Sequence, residues 1–305
     1  MKLSKPSYSR VKKILMDLVA QAPENLLADF GNIRLYDTPL VGIADGDDPL
    51  FQTFRDVVSP RHLLPREILK HYADKKADLS RIAVISWVLP YSERIRQSNR
   101  QREWPSKLYS LARNNGGALN YRTSLRFMQI LRDHAVEAVS PIAVEEYDAF
   151  RSPDFTFSST WSQRHVAFAA GLGYFGLNGS LITPLGANIR LGSIITNLDA
   201  ELPPSRNRNF RAPCLDEACK ECRACMIRCP VSAISSHGLD KEKCYAMRKA
   251  VRKRHMDQYA KEMNMIPSPI VKNGVRKDGY SLGCALCQCG VPCEDSDPFE
   301  ELKSL

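Results

Sequence analysis

The sequence predicts a mixed α/β body followed by a small cysteine-built module, and three observations carry that expectation. All ten cysteines of the 305-residue chain lie between Cys214 and Cys293, and residues 1–213 contain none. The apolar, β-branched run "RIAVISWVLP" over 81–90 reads as a buried strand. Apolar residues recur at helical spacing over 8–22 and over 124–135, so helices and strands alternate as in a layered α/β protein rather than a bundle.

Taken in order, the first helix is expected over 8–22, where Val11, Ile14, Leu15, Leu18 and Val19 share a face. A short strand follows around "IRLYD", inside the mixed stretch 29–44. After the strand at 81–90, "SLRFMQILRDHA" (124–135) predicts a helix and "VEAVSPIAVEEY" an extended segment. The segment "STWSQRHVAFAAGLGYFG" (159–176) opens on Thr160-x-x-Gln163, the spacing of a capping box, and its helix is expected to stop at Gly171. Gly171, Gly173 and Gly176 then follow without dinucleotide-fingerprint spacing. Glycines at that density either fit tight turns or let the backbone approach a bulky flat ligand. "SLITPLGANIRLGSIITN" (180–197) predicts two strands joined by a Pro-Leu-Gly turn, and the polar "ELPPSRNRNFRAP" (201–213) predicts a linker.

Composition narrows the class. The hydrophobic fraction of 44% and charged fraction of 25% are those of a soluble globular chain. No apolar run reaches the roughly 18 residues of a membrane helix, and "MKLSKPSYSRVKK" has neither an apolar signal core nor a twin arginine, so a cytoplasmic location and no membrane partner are expected. In a reducing compartment, ten cysteines point to metal ligation rather than a disulfide framework. The net charge is +9, and residues 241–278 hold eleven Lys/Arg against four Asp/Glu. That segment is either a solvated helix face or a docking site for an acidic partner, nucleic acid or a small electron donor.

The cysteines carry the chemistry. Cys219-x2-Cys222-x2-Cys225-x3-Cys229-Pro230 has the spacing of two-cluster ferredoxin modules, in which three thiolates wrap one cubane and the fourth reaches the other. Zinc prefers paired C-x2-C knuckles with a long spacer, so iron–sulfur is the expectation. Cys244 follows alone, then Cys284-x2-Cys287, Cys289 and Cys293. Two cubanes need eight thiolates, which leaves two to spare. One cluster is expected on Cys219, Cys222, Cys225 and Cys293, with Cys214 an alternate to Cys219 and Cys289 an alternate to Cys293; the other is expected on Cys229, Cys244, Cys284 and Cys287. A surplus cysteine reads as a small buried residue.

These cysteines resemble the C-terminal module of epoxyqueuosine reductases and that of reductive dehalogenases. "AAGLGYFGLNGSLITPLGANIRLGSIITN" is similar to the glycine-rich region of the same family, and the resemblance spans roughly 80–293, more closely after 155. It implies a nitroreductase-like, cobalamin-binding body over 81–205, a ferredoxin-like module with two [4Fe–4S] clusters over 206–305, and a loosely matched α/β region over 1–80. It implies that Gly171, Gly173, Gly176 and Asn178 contact cobalamin, that ferredoxin or flavodoxin donates electrons, and that an oxygen or halogen substituent is removed reductively from a small molecule or a tRNA. The alternative is an electron carrier serving a separate enzyme. The family places an aspartate general acid where this chain has Phe157, and a phenylalanine delivers no proton. Tyr147, His165 and Tyr174 are the candidate replacements, with Asp148 and Asp154 read as solvated loop carboxylates.

Overall fold

The computed structural model describes residues 6–101, 103–154, 156–200, 214, 222–259 and 261–299. The chain opens on α1 (Tyr8–Gln21), capped by the Ser7 side chain, which accepts the Arg10 N–H. A short ribbon of β1 (Leu26–Leu27) and β2 (Ile33–Arg34) leads to β3 (Leu40–Asp45), α2 (Leu50–Val57), α3 (Pro65–Tyr72), β4 (Ala83–Pro90) and α4 (Glu93–Arg100). Then come α5 (Lys107–Asp133), β5 (Ala138–Val139), β6 (Ala149–Ser152), β7 (Thr156–Ser159), α6 (Gln163–Ala169), β8 (Tyr174–Phe175), β9 (Leu181–Ile182) and β10 (Ile189–Thr196). The cysteine-rich part holds α7 (Ala224–Ile227), β11 (Ile234–Ser235), β12 (Gly238–Leu239), α8 (Lys241–Tyr259), β13 (Ser268–Lys272) and β14 (Val275–Gly279). The linker expected over 201–213 lies outside the described residues.

The architecture is mixed α/β in three layers. One four-stranded sheet, in the order β3-β4-β10-β5 with antiparallel neighbours, forms the middle layer. All eight residues of β4 are buried, as the unbroken apolar run required. Its side chains alternate between two cores. Ala83, Ile85, Trp87 and Leu89 pack with α1 and α5, whereas Val84 and Val88 pack with α2, α3 and α6.

Four expectations need correction. The helix expected over 124–135 is the last part of α5, which is 27 residues long and starts at Lys107. Asn114-Asn115-Gly116-Gly117 reads locally as a turn, but tertiary packing holds it helical. A Cβ on Gly116 would lie 2.1 Å from the Tyr36 hydroxyl. The Asn114 and Asn115 amides donate to the Ile266 and Asn264 carbonyls at 3.0 Å each. The capping box does not form: Ser162 is the N-cap of α6, with no side-chain cap. Thr160 instead donates to the Glu146 carbonyl, and the Gln163 side chain accepts from Ser193. The two strands expected over 180–197 are not partners; β9 pairs with β8, and β10 lies between β4 and β5. Finally, the extended segment after α5 is reduced to β5 and a series of turns.

The cysteine-rich part is locked onto the sheet. Ala187 N–H donates to the Cys293 carbonyl at 2.7 Å and Asn188 N–H to the Glu294 carbonyl at 3.1 Å. Gly186, at φ +76°, permits this approach, because a Cβ there would sit 2.3 Å from the Glu294 carbonyl oxygen. Among the described residues, no helix is long and apolar enough to cross a membrane.

Candidate functional site

Two local turns repeat in the cysteine-rich part. In Cys222-Arg223 and in Cys284-Ala285 the second residue is left-handed, at φ 35° and φ 51°, and a short helical turn follows in each case (α7 and Leu286–Gln288). A left-handed residue for which the side chain gives no reason is strained. Alternating left- and right-handed residues curl N–H groups into a concavity that suits an anion, including an iron–sulfur cluster. A third such turn follows Cys229: Ser232 is at φ 47°, and Ala233 N–H donates to the Cys229 Sγ at 3.2 Å. N–H donors to sulfur are one means by which a protein sets a cluster potential.

The described cysteines fall into two groups and one outlier. Cys229, Cys244, Cys284 and Cys287 line a cavity of about 450 Å³ between the sheet and α8. Cys214, Cys222, Cys225 and Cys293 line a separate, smaller cleft, called the outer one below. Burial pushes the Cys287 thiol well up, and Cys284, Cys244, Cys225 and Cys229 push it further. Burial first, then Cys225, Cys214 and Cys222, raises the Cys293 thiol to about 12. Thiols crowded in this way cannot all ionise without a compensating cation. Among the described residues, no three His, Cys, Asp or Glu close on a single ion. A cubane takes thiolates spread around a larger body than a single ion. The donor chemistry and the three curled turns fit iron–sulfur clusters.

Cys289 stands apart. It is fully buried in the sheet core, and its Sγ accepts from Asn188 Nδ2 at 2.8 Å. Burial, then Glu294, raises its thiol to about 12. Cys219 lies outside the described residues.

The large cavity brings together some of the sequence candidates. Tyr147 and Asn178 line it. Burial pushes the Tyr147 phenol above its ordinary range, so it stays protonated at neutral pH. Asn178 stands between the two thiol groups: it lines both spaces, and its Nδ2 donates to the Cys287 carbonyl at 3.1 Å. Gly176 lines the outer cleft. Gly173 has the Ile182 carbonyl 2.0 Å from where a Cβ would be, and Gly171 ends α6 at φ +70°. These two have their reason in the turn itself.

The other acid candidates lie elsewhere. His165 packs against Phe54 and Phe175, with Nδ1 2.7 Å from the Ser162 hydroxyl, and burial lowers its pKa to about 3. Tyr174 donates to Asp297 at 2.5 Å beside the outer thiols, and burial together with that carboxylate pushes its phenol up. Asp148 is buried rather than solvated; it accepts from Gly274 N–H at 2.9 Å and pairs with Arg61. Asp154 is exposed in the β6–β7 turn. Phe157 packs against Tyr245 in a tilted pair, ring centroids 4.5 Å apart, with the Arg151 guanidinium over its ring at 4.6 Å, an aromatic clamp between β7 and α8.

A corrinoid is a flat body fringed with amides. Besides the thiols, Gln163, Asn178, Ser180 and Gln288 line the cavity, and these neutral hydrogen-bonding side chains suit such a fringe. Sequence reasoning missed Arg113, Arg164, Arg190 and Arg248, which also line it. They come from α5, α6, β10 and α8, so no spacing in the sequence announces their convergence.

No protein-family model matches the chain. Epoxyqueuosine reductase of Bacillus anthracis is 30% identical over 119 residues, covering 38% of this chain and 29% of that protein. The Staphylococcus aureus enzyme is 37% identical over 100 residues, covering 32% and 24%. The enzyme of Synechocystis is 30% identical over 154 residues, covering 46% and 44%. The chain thus spans less than half the length of the curated relatives it matches. Among solved structures, an epoxyqueuosine reductase with a modified tRNA-Tyr stem loop aligns with a TM-score of 0.47 at 16% identity, over 94% of this chain and 70% of that one. The enzyme of Streptococcus thermophilus aligns with a TM-score of 0.46 at 17% identity, over 94% and 69%. In sequence the chain is epoxyqueuosine reductase-like.

Proposed function

We propose, with this likeness as the premise, that the chain is a cytoplasmic iron–sulfur oxidoreductase of the epoxyqueuosine reductase type that acts on a tRNA-borne substrate. In this reading 81–205 is a nitroreductase-like body, 206–305 is a ferredoxin-like module, and 1–80 is an α/β extension sharing the body's sheet. The inner cluster takes Cys229, Cys244, Cys284 and Cys287; the outer takes Cys222, Cys225 and Cys293 with Cys219 or Cys214. The observation that carries the reading is the sorting of the thiols into two groups of four that line separate spaces, one of them the large cavity.

Clusters held there supply one-electron chemistry, and a corrinoid in the cavity would supply reductive cleavage of a carbon–oxygen or carbon–halogen bond. The chain's residues do the rest. Asn178 ties the glycine segment to the Cys287 turn, and Tyr147 holds a proton over the cavity. The phenol takes the role for which Phe157 is unsuited, so the reaction need not be epoxyqueuosine reduction itself. An external ferredoxin or flavodoxin fits the outer cluster as donor.

What supports an RNA substrate is α8, exposed at Lys241, Lys243, Lys249, Arg252, Lys253 and Arg254. Lys249 lies 5.1 Å from the Tyr245 ring centre and Arg254 4.9 Å from that of Trp104. Cations interleaved with aromatics suit a phosphate backbone with splayed bases. The test is tRNA binding to the anaerobic, iron-loaded protein between 50 and 200 mM salt. A steep salt dependence, flattened in K249Q/R252Q/K253Q, is expected; binding that ignores both salt and the triple change overturns the RNA assignment.

A further inference from the structure

Among the described residues, the charged side chains that line the large cavity, its thiols aside, are all cationic. Arg113, Arg164, Arg190 and Arg248 reach it from four separate elements. No carboxylate is among the described residues that line it. Arg190 is anchored, with Nε donating to the Tyr36 hydroxyl at 3.1 Å and Nη2 to the Arg113 carbonyl at 2.6 Å. Arg164 donates to the Gly179 carbonyl. Neither set of bonds removes a charge. The guanidiniums of Arg113 and Arg248 make no hydrogen bond or ion pair with the described residues.

Arg164 and Arg248 keep exposed surface and line the cavity. Desolvation by the protein packed around them, and then the neighbouring arginines, pulls both below the ordinary arginine range. Crowded like charges are costly unless a counter-charge is present. Cys244 lies within electrostatic reach of Arg248, Arg113 and Arg164, so the inner thiolates supply part of it. Four thiolates on an oxidised cubane carry only a dianion, which leaves cations unmatched.

We infer that the ligand entering this cavity carries an oxyanion, a phosphate or a carboxylate, held between Arg113, Arg164 and Arg248. Guanidinium forks match both groups in a two-point hydrogen bond. The inference deepens the oxidoreductase reading by naming the substrate's chemical class, and rests on it for the charge of the inner cluster. Bound in this way, the anion fixes the substrate beside the inner thiols, and it enters from a basic approach along α8.

Isothermal titration of the anaerobic, iron-loaded protein tests this, with inorganic phosphate, 5′-GMP and succinate as probes and glycerol as the neutral control. Saturable binding of at least one anion is expected, weakened tenfold or more in R113Q and R248Q and unchanged in K76Q, a surface lysine far from the cavity. Tighter binding of 5′-GMP than of succinate assigns the oxyanion to a nucleotide; the reverse order assigns it to a small carboxylate. R248K, which keeps the charge, recovers part of the binding and serves where glutamine lowers the thermal midpoint. No saturable binding of any anion, or binding that R113Q and R248Q leave within twofold, overturns the inference. Iron content and the EPR signal of the same samples report on the redox assignment separately, so the two can fail independently.

Discussion

Asn188 donates its side-chain N–H to the Sγ of Cys289 at 2.8 Å, and this contact joins the central sheet to the cysteine-rich part. The same amide accepts from the Tyr109 hydroxyl at 2.9 Å and donates to the Gln288 carbonyl at 3.1 Å. Its backbone N–H meets the Glu294 carbonyl, and its carbonyl accepts from Tyr91 N–H. One buried asparagine at the start of β10 therefore sets where the Cys284–Cys293 segment sits against the cavity. Asn188→Ala leaves several buried polar groups without partners and is expected to cost about 2–4 kcal/mol. A thermal midpoint unchanged from the parent protein would contradict this role.

Cys289 is expected to be dispensable for metal. Cys289→Ala keeps the parent iron content, with only the mild instability of a trimmed core residue, whereas Cys293→Ala and Cys287→Ala each lose iron. Iron and acid-labile sulfide assays on the three variants check this. Loss of iron in Cys289→Ala, with retention in Cys293→Ala, would exchange their roles.

Tyr147 lines the cavity, and in the proposed reading its phenol holds the proton. Tyr147→Phe is expected to lower turnover by about 10²–10⁴-fold, the usual contribution of a general acid, while leaving the clusters' EPR spectra unchanged. The steady-state rate and the spectra are read on one preparation. Unaltered turnover would return the search to the residues around Phe157.

Histidines packed inside the fold set an acid limit on stability, His62 fully buried and His165 half-buried. His62 is lowered to about 4 and His165 to about 3, each chiefly by burial, with Arg55 acting on the first and Arg164 on the second. His62 uses both ring nitrogens in the neutral form: Nδ1 donates to the Leu63 carbonyl at 3.0 Å and Nε2 accepts from Ser162 N–H at 3.1 Å. A depressed histidine pKa means that the unfolded chain binds the proton first. The stability is therefore complete above about pH 6.5 and is lost as pH falls towards the folded values. By pH 5 each histidine is expected to cost about 2 kcal/mol. Denaturant midpoints between pH 7.5 and 5 measure the slope, and His165→Gln should make it shallower. A flat profile would contradict the burial argument.

The legible parts of the fold were those fixed by local pattern. The face of Val11, Leu15 and Val19 gave α1 its bounds, and the apolar run at 81–90 gave the central strand. The first half of α5 was hidden, because Asn114-Asn115-Gly116-Gly117 looks like a turn and becomes helical only through partners such as Tyr36 and Ile266. The pairing of β9 and β10 was equally opaque, since a Pro-Leu-Gly turn does not say which strand lies alongside. At the site, local spacing drew attention to the cysteines. The arginines escaped notice because convergence from four elements is a property of the fold alone.

The most direct test of the two-cluster account is anaerobic purification with iron, sulfide and cobalt quantified per chain, alongside EPR of the dithionite-reduced protein. The account predicts about eight irons and eight sulfides, the content of two cubanes, falling to about four in Cys244→Ser, where the inner cluster is lost and the outer remains. Stoichiometric zinc with no sulfide, or an iron content that Cys244→Ser leaves unchanged, would contradict it.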